Sequence, residues 1–249
     1  MSNLFNSPFN ILGGVSTIAT FGLLLLLLVL LYAAYTLIAP IVVPTIHTYP
    51  WSFPHNYDRK QREKGMTVVM AGSYNPPHRG HLEMISYLSE RYGRLIVVIG
   101  MNPDKSYDVP PQERAVLLRA MCRNVPNVRV HVVTGYIWRF AKSADIRADL
   151  FYRGIRTWER DGGEERKLQI LNTWGPLLLG PLWWPIPTHF LQGKPEYNHI
   201  SSTLIRSICA KPDFQISDIH DLVPENIAED IVHLYGRSRQ QPQQQKNAK

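Results

Sequence analysis

The longest feature of the hydrophobic pattern is an apolar segment near the N-terminus. Residues 17–39 carry no charged side chain, leucine is unbroken over residues 23–28, and Pro40 follows. A helix of this length reaches about 35 Å, which exceeds a hydrocarbon core of about 30 Å. The pattern predicts a single transmembrane helix over residues 17–39 after a short N-terminal segment, residues 1–16. A cleaved signal peptide is the alternative, but the basic segment that would begin it is missing.

Beyond Met66, short apolar runs alternate with segments of helical periodicity. The runs at residues 66–71, 95–100, 128–133 and 149–152 predict four strands, and helices are predicted from Gly80 and over residues 112–122. Strands that alternate with helices are typical of an α/β fold. The sequence therefore predicts a Rossmann-like, doubly wound parallel sheet over residues 66–236, with ligands beyond the carboxyl ends of the strands.

Two segments flank this domain. Residues 40–54 contain four prolines and the aromatics Tyr49, Trp51 and Phe53, and a basic stretch follows. We therefore predict an interfacial collar and a juxtamembrane linker over residues 40–65. We accordingly expect that residues 1–57 can be removed without loss of turnover. The tail, residues 237–249, is rich in Gln and Lys and is predicted to be disordered.

Charge is distributed unevenly along the chain. No Lys, Arg, Asp or Glu occurs before Asp58, and the formal net charge is +7. An excess of basic residues suits an anionic small molecule, an acidic membrane surface or a nucleic acid equally well. Cys122 and Cys209 are far apart and lack metal-ligand spacing, so we expect reduced, partly buried thiols in a reducing compartment.

The candidate chemistry lies where the first predicted strand of the domain ends. Gly72 closes the strand, a turn containing Ser73 and Asn75 follows, and His78 and His81 stand at the start of the next helix. Glycine permits close approach of a ligand, and the free N–H groups of a helix start attract anions. No side chain in this stretch is an evident covalent nucleophile. The arrangement predicts a phosphate-binding site.

Two motifs carry a resemblance to a known family. The pattern GSYNPPHRGH at residues 72–81 resembles the [HT]-x-G-H signature of the nucleotidyltransferase superfamily, and ISSTLIR at residues 200–206 resembles its second signature, ISS[ST]-x-[IV]-[RK]. The structural alternative is a histidine-capped helix and an unrelated Ser/Thr-rich helix start. Both signatures in this order, with an α/β pattern between them, favour the superfamily.

The region between the signatures resembles one branch of the superfamily. The segments NPDK at residues 102–105, PQER at 111–114, RGIR at 153–156 and LVPEN at 222–226 are similar to phosphopantetheine adenylyltransferase. That resemblance implies transfer of AMP from ATP to 4′-phosphopantetheine, which gives dephospho-coenzyme A and pyrophosphate. Nicotinate and nicotinamide mononucleotide adenylyltransferases are the alternative, although they do not usually share the RG-x-R element.

The resemblance also implies residue roles. His81 would donate to the α-phosphate in the transition state, and Lys105 and Arg153 would hold the phosphate of the acceptor, with Ser73 near it. The implied ATP contacts are Ser73, Tyr74, His78, His81, Gly154, Ile155, Arg156, Glu164, Ile200, Ser201, Ser202 and Thr203. Magnesium is expected on ATP itself, because no carboxylate cluster in the sequence would build a protein-only site.

The chain departs from the family pattern at three places. Asn75 stands where the family commonly has Asp, the glycines before Glu164 loosen that segment, and the Trp-rich stretch at residues 174–187 is longer and more apolar than expected. This stretch would be a loop packed on its own core, a subunit interface in a homo-oligomer, or a membrane-surface contact through Trp183 and Trp184. A catalytically inactive, membrane-tethered nucleotide-binding protein is the remaining alternative. We expect no nucleic-acid partner.

The distribution of basic residues predicts the topology. Arg59, Lys60, Arg62 and Lys64 follow the apolar segment, so by the positive-inside tendency the C-terminal domain faces the cytosol. We expect carbonate-resistant membrane association, and we expect protease added outside intact organelles to digest the domain. Protection of the C-terminal tail in sealed, correctly oriented organelles would contradict this orientation.

Overall fold

The computed structural model describes residues 9–101, 107–181 and 183–236, with residues 9–16, 37, 40 and 41 described by their backbone alone. Some of the predictions concern residues outside the described ranges, namely residues 1–8, residues 102–104 with Lys105, and the tail 237–249. The chain divides into two compact units after Val43.

In the first unit, the residues that the structure describes form one helix, α1 (Phe9–Val42). Its segment Thr17–Thr36 has a mean hydropathy of 2.5, and no acidic or basic residue lies in the first or last turn of the helix. By length and composition this helix could cross a membrane. The sequence predicts that this helix ends before Pro40, but in the structure it continues to Val42. The Val43 amide donates to the Ala39 carbonyl at 2.8 Å and continues the helical hydrogen bonding past the proline.

The second unit is an α/β domain. Its strands are β1 (Thr45–His47), β2 (Thr67–Gly72), β3 (Arg94–Gly100), β4 (Val128–Val133), β5 (Leu150–Ile155) and β6 (Thr188–Gln192). Its helices are α2 (Tyr57–Lys64), α3 (Arg79–Arg91), α4 (Pro111–Met121), α5 (Ile137–Lys142), α6 (Trp158–Leu178), α7 (Ser202–Cys209) and α8 (Ala228–Gly236). Short 3-10 helices occur at Pro195–Tyr197, Ile216–Ile219 and Glu225–Ile227.

The six described strands form one parallel sheet in the order β1-β6-β5-β2-β3-β4. The chain builds outward from β2 to β3 and β4, then returns to β5 on the other side of β2. The strand order therefore reverses between β2 and β5, which is the point where open α/β sheets bind ligands beyond the carboxyl ends. The predicted Rossmann-like parallel sheet is confirmed.

Apolar side chains cover both faces of the sheet. Val68, Met70, Leu95 and Val97 alternate with Val69, Ile96 and Val98 and point to opposite faces, and all are buried. The first face packs against α3, α4, α7 and α8, and the second holds the fully buried Trp138 of α5. Continuous apolar strands such as β3 are required because neither face meets water.

The segment predicted as a linker, residues 40–65, differs in the structure. β1 adds an edge strand to the sheet by pairing with β6, and α2 begins at the cap residue Asn56. Trp51 donates its indole N–H to the Gln192 carbonyl at 2.9 Å, which fixes the chain between these two elements. A three-residue strand carries no readable periodicity, so the sequence pattern does not reveal it.

The second difference concerns α6. The sequence predicts a segment loosened by glycines before Glu164 and a loop within residues 174–187, whereas α6 runs unbroken from Trp158 to Leu178. Gly162 lies under the Trp158 indole, where an added Cβ would stand 2.9 Å from the ring, so a glycine is required there by close packing. Beyond the helix, Trp184 is exposed and Ile186 is buried.

These contacts change the expected effect of N-terminal truncation. We expect removal of residues 1–43 to leave a folded domain, because α1 is a separate compact unit. Removal of residues 1–57 should destabilise the domain by several kcal/mol, because it deletes β1 and the Ser52 carbonyl that accepts from Arg91 and Tyr87. Thermal unfolding of the two truncations measures the difference, and equal stability would contradict this assignment.

Candidate active site

A cleft of about 480 Å³ opens at the carboxyl ends of the strands beside the point where the strand order reverses. It is formed by the start of α3, the end of β5, the first turns of α6, the segment after β6 and the start of α7. The lining residues are His78, Gly80, His81, Met84, Gly154, Ile155, Arg156, Arg160, Asp161, Glu164, Glu165, Gly193, Tyr197, Asn198, Ile200, Ser201, Ser202 and Thr203.

The loop between β2 and α3 is shaped by Tyr74. Tyr74 has a φ of 44°, in the left-handed region, and its buried hydroxyl donates to the Met70 carbonyl at 3.3 Å. Its ring lies directly over Gly72, where an added Cβ would be 2.9 Å from the ring, so only glycine fits. The same ring meets the His81 imidazole edge to face at 4.9 Å. Tyr74 therefore supports His81 and does not line the cleft.

The backbone of this loop is held by side chains from distant elements. Arg114 of α4 donates to the Ser73 carbonyl, and Arg206 of α7 donates to the Asn75 carbonyl. Tyr235 of α8 donates its hydroxyl to Asn75 Oδ1 at 2.7 Å. An amide oxygen accepts this bond without bringing a charge into a buried position, which explains why Asn serves here.

The second signature is tied to the same loop. Ser201 caps α7, and its Oγ accepts from the Leu204 amide at 3.1 Å. Ser202 donates its hydroxyl to the Pro76 carbonyl at 2.7 Å. The two signatures, far apart in sequence, thus place the starts of α3 and α7 on the same cleft, where their free N–H groups favour an anion.

The two histidines of the first signature form a close pair with their rings tilted by 31°. Their ring centroids are 3.7 Å apart, and the His78 amide donates to His81 Nδ1 at 3.3 Å. Because Nδ1 accepts this bond, the neutral His81 ring carries its proton on Nε2. His78 Nδ1 is buried and has no hydrogen-bond partner among the described residues. His81 therefore offers a fixed N–H donor at the cleft.

Burial keeps both rings neutral. It lowers the pKa of His78 to about 4, with a smaller effect from Arg156. Burial also lowers the pKa of His81 well below its usual value, and the neighbouring His78 lowers it further. A neutral imidazole with its proton on Nε2 can donate a hydrogen bond to an anion without first taking up a proton.

The arginines that follow β5 are paired with carboxylates of α6. Arg153 donates from Nε and Nη2 to Glu165, each bond 2.7 Å long, and Arg156 donates from Nε to Asp161 at 3.2 Å. These are bidentate, charge-assisted contacts, and Asp161 also accepts from the Arg156 amide at 2.7 Å. The pairing with Arg156 lowers the pKa of Asp161 against the effect of its burial.

The structure brings together most of the residues expected to contact ATP. His78, His81, Gly154, Ile155, Arg156, Glu164, Ile200, Ser201, Ser202 and Thr203 all line the cleft. Ser73 and Tyr74 are not among its lining residues, since the Ser73 side chain is exposed and Tyr74 is buried. Arg153 lies behind the cleft wall, bound to Glu165. Lys105 lies outside the described residues.

Several cleft residues were not found by sequence reasoning. Asp161 and Glu165 are the most informative, because they hold the two arginines. Thr157 caps α6 and accepts from the Arg160 amide at 3.3 Å, and acidic residues follow in the first turn. A Thr followed by acidic residues is a helix-start signal that could have placed both carboxylates on α6. Tyr197 and Asn198 follow β6, which the sequence pattern did not reveal.

Comparison with known proteins agrees with this geometry. Residues 69–208 match the family model described as cytidylyltransferase-like. Phosphopantetheine adenylyltransferase of Neisseria meningitidis is 34% identical over 66% of this chain and 91% of the relative. The enzymes of that name from Picosynechococcus sp. and Lactiplantibacillus plantarum are 29% and 31% identical over 68% and 69% of this chain, and over 88% and 96% of the relatives.

Solved structures are also similar to this chain. Plasmodium falciparum nicotinic acid mononucleotide adenylyltransferase complexed with NaAD matches over 69% of this chain and 96% of that chain, with a TM-score of 0.44 and 17% sequence identity. A similarity at this level carries no argument about the acceptor.

The buried histidines predict a pH dependence of stability. The folded-state pKa of His78, about 4, lies below the usual 6.5, so the unfolded chain takes up a proton first as the pH falls. The stabilising contribution of the neutral ring is complete above pH 6.5 and is lost as the pH falls to about 4. Histidine-selective ¹⁵N NMR should show His78 neutral at pH 5.5, with the urea-denatured protein as control. A native midpoint between pH 6 and 7 would contradict the described burial.

Proposed function

The chain belongs to the cytidylyltransferase-like family and is a nucleotidyltransferase, and from this we propose that it transfers AMP from ATP to 4′-phosphopantetheine. One observation carries the proposal. The cleft unites both signatures of the family in a chain that covers 91% of a phosphopantetheine adenylyltransferase at 34% identity. The products would be dephospho-coenzyme A and pyrophosphate, a step of coenzyme A biosynthesis.

The proposed reaction is an in-line displacement at phosphorus. A phosphate oxygen of the acceptor forms a bond to the α-phosphorus of ATP, and the bond from that phosphorus to the bridging oxygen of pyrophosphate breaks. The attacking oxygen is already anionic, so no general base is needed. Catalysis then rests on orientation and on stabilising the charge that builds up on the α-phosphoryl oxygens. His81 Nε2–H is the proposed donor to those oxygens.

The start of α7 and Arg156 are proposed to hold the β- and γ-phosphates. The free N–H groups of the helix start and the side chain of Thr203 line the cleft together with Arg156. Asp161 fixes the guanidinium of Arg156 from one side and leaves part of it exposed to the cleft. The nucleotide would bring Mg²⁺, which neutralises triphosphate charge. Glu164 lines the cleft and has no ion-pair partner among the described residues, so it is the carboxylate proposed to face this Mg²⁺.

Arg153 and Lys105 are proposed to bind the phosphate of the acceptor. Glu165 holds the Arg153 guanidinium in a bidentate ion pair and also lines the cleft. A phosphate and this carboxylate compete for the same donors, so acceptor binding would replace one anion by another at Arg153. Such an exchange avoids leaving a buried guanidinium unpaired, which costs about 3–5 kcal/mol.

The proposed place of action is a membrane surface. The candidate span in α1 would anchor the protein by a single pass, and the basic residues that follow it favour a cytosolic domain. Partners would be ATP, the acceptor and a second copy of the chain in a homo-oligomer. The family match begins at residue 69, so the anchor lies outside it.

A comparison of acceptors tests the proposed function. The full-length protein in nonionic detergent is given ATP with Mg²⁺ and either 4′-phosphopantetheine, nicotinamide mononucleotide or nicotinate mononucleotide, and pyrophosphate release is followed. We expect kcat/KM for phosphopantetheine to exceed that for either mononucleotide by at least about 100-fold. A site that forms hydrogen bonds with the correct substrate leaves its polar groups without partners when a different substrate binds. A preference for a mononucleotide assigns the alternative function. No turnover with any acceptor supports an inactive nucleotide-binding protein.

His81 should contribute chiefly to the transition state. We expect His81→Ala to lower kcat and kcat/KM together by about 10²- to 10³-fold, with little change in ATP binding. His81→Gln is the matched variant, because its amide N–H can occupy the position of Nε2–H and should recover part of the loss. Near-normal kcat in folded His81→Ala would contradict the assigned role.

Lys105 should act on acceptor binding instead. Because the acceptor phosphate is charged in the ground state as well, Lys105→Ala should raise the KM for phosphopantetheine strongly and leave ATP affinity unchanged. Steady-state kinetics with each substrate varied in turn separates the two effects. Weaker ATP binding with an unchanged acceptor KM would show that Lys105 has been assigned to the wrong substrate.

A further inference from the structure

A second cavity lies at the amino ends of β5 and β6, away from the carboxyl ends that form the proposed active site. It has a volume of about 320 Å³ and is formed by the start of β5 and β6, the end of α3, β1 and α2. The active-site cleft touches the other end of the same elements, at the end of β5 and the start of α3. The two cavities share no lining residue and lie at the two ends of α3, which is about 20 Å long.

More than half of the residues that line this cavity come from outside the family match. His47, Arg59, Arg62, Glu63 and Met66 lie in the segment before residue 69, where the match begins. The edge strand β1 and helix α2 therefore add a site that the matched nucleotidyltransferase segment does not complete by itself. The extension is firmly attached there, because Lys64 donates to the Glu90 carbonyl and Glu63 is buried.

The cavity carries an excess of positive charge. Three arginines and one carboxylate line it, and Arg91 binds both oxygens of Glu63 at 2.8 Å. Arg91 also donates to the Ser52 carbonyl at 3.0 Å, so its charge and donors are used within the protein. The remaining positive charge belongs to Arg59 and Arg62. Arg59 gives only Nε to Glu63, at 3.2 Å, and is largely exposed.

The two guanidinium groups that keep unused N–H donors share one face of α2. Arg59 and Arg62 are three residues apart and both line the cavity, so their guanidinium groups can act on the same ligand. No other residue that the structure describes forms an ion pair or a hydrogen bond with the Arg62 side chain. Two guanidinium groups with unused N–H donors are the arrangement that recognises phosphate.

Two imidazoles complete the cavity on the side of the sheet. His47 Nε2 and His189 Nδ1 lie 3.1 Å apart, and Tyr152 OH is 3.3 Å from the same His47 atom. Tyr92 OH lies 2.9 Å from Tyr152 OH and continues this chain of polar groups. The chain fixes both rings, and it uses neither His47 Nδ1 nor His189 Nε2. Each ring therefore keeps one nitrogen outside this chain. Because the neutral rings share a single N–H between His47 Nε2 and His189 Nδ1, one of the two outer nitrogens is a donor and the other is an acceptor.

We propose that this cavity binds a phosphate group, either of a small phosphate monoester or of a phospholipid headgroup. The guanidinium groups of Arg59 and Arg62 supply charge from α2, and the pair His47–His189 supplies one N–H donor from the sheet. The volume of about 320 Å³ admits a phosphate with a small substituent. The Arg91–Glu63 pair forms a wall that is neutral overall and holds α2 against α3.

The test uses the full-length protein in nonionic detergent with selectively ¹³C- and ¹⁵N-labelled histidine. Ring signals of His47 and His189 are assigned by their loss in His47→Gln and His189→Gln, and inorganic phosphate is then titrated. We expect these two rings to shift in a saturable manner. The variant Arg59→Gln/Arg62→Gln should weaken binding by at least about tenfold, because two charge-assisted hydrogen bonds are lost.

A control with the same change of net charge is Lys60→Gln/Arg123→Gln, which alters two exposed residues that do not line the cavity. It should bind phosphate like the wild type. Because Glu63 keeps its bidentate partner Arg91, the Arg59/Arg62 variant should unfold at nearly the wild-type temperature and retain adenylyl transfer, so that lost binding is not lost folding.

A second arm distinguishes the two sources of phosphate. The protein is placed in nanodiscs of phosphatidylcholine, with or without one-fifth phosphatidic acid. Shifts of His47 and His189 only with phosphatidic acid support a headgroup site, and shifts with inorganic phosphate alone support a soluble ligand. The proposal is overturned if neither probe shifts the two rings, if both nanodisc types shift them equally, or if the Arg59/Arg62 variant binds like its control.

Discussion

The hydrogen bond of 2.7 Å from Ser202 Oγ to the Pro76 carbonyl joins the two segments from which the active-site cleft is built. It belongs to a set in which Arg114, Arg206 and Tyr235 hold the remaining polar groups of the same loop. Each bond contributes about 0.5–1.5 kcal/mol, but a buried carbonyl left without a donor would cost about 1–3 kcal/mol. The loop is thus kept in one conformation by side chains of three helices, α4, α7 and α8, and His81 and the start of α7 are positioned by the same contacts.

The charges of the cleft follow a consistent arrangement. Burial keeps the two histidines neutral, while each of the two arginines is oriented by a carboxylate of α6. A site of this kind is organised before the nucleotide arrives and needs little rearrangement when charge develops at phosphorus. The anionic substrate would replace or join the carboxylates at Arg153 and Arg156. The ion pairs therefore orient the guanidinium N–H groups toward the substrate site and also give them acceptors before the substrate binds.

The sequence predicted those parts of the molecule that depend on local pattern. Strand β4 has the predicted bounds, residues 128–133, and β2, β3 and β5 differ from the prediction by a few residues. The central strands β2 and β3 are recognisable because buried parallel strands are continuous apolar runs. The cleft positions of His81 and Ser202 followed from the two signatures, and that of Arg156 followed from the RG-x-R element between them. β1 and β6 were missed because three and five residues give little periodicity, and their place depends on pairing with each other.

Other features depend on tertiary contacts that no local pattern reports. The pairing of Arg153 with Glu165, and not with its neighbour Glu164, depends on the orientation of α6. From the sequence alone, the glycines of α6 indicate a flexible segment. In the structure Gly162 is required because the Trp158 indole packs directly on its backbone. Likewise, the aromatics and basic residues of the extension suggest a membrane collar, whereas Trp51 and Glu63 attach it to the domain.

The central claim is that the cleft orients ATP and its acceptor for direct attack, with no covalent intermediate on the protein. The stereochemical course at the α-phosphorus tests it most directly. ATP chiral at that position through sulfur substitution is converted with phosphopantetheine, and the configuration of the product is determined by ³¹P NMR. A single in-line displacement predicts inversion. Retention would show two successive displacements through a nucleotidyl-protein intermediate, with His78 or His81 as the nucleophile, and would contradict the account.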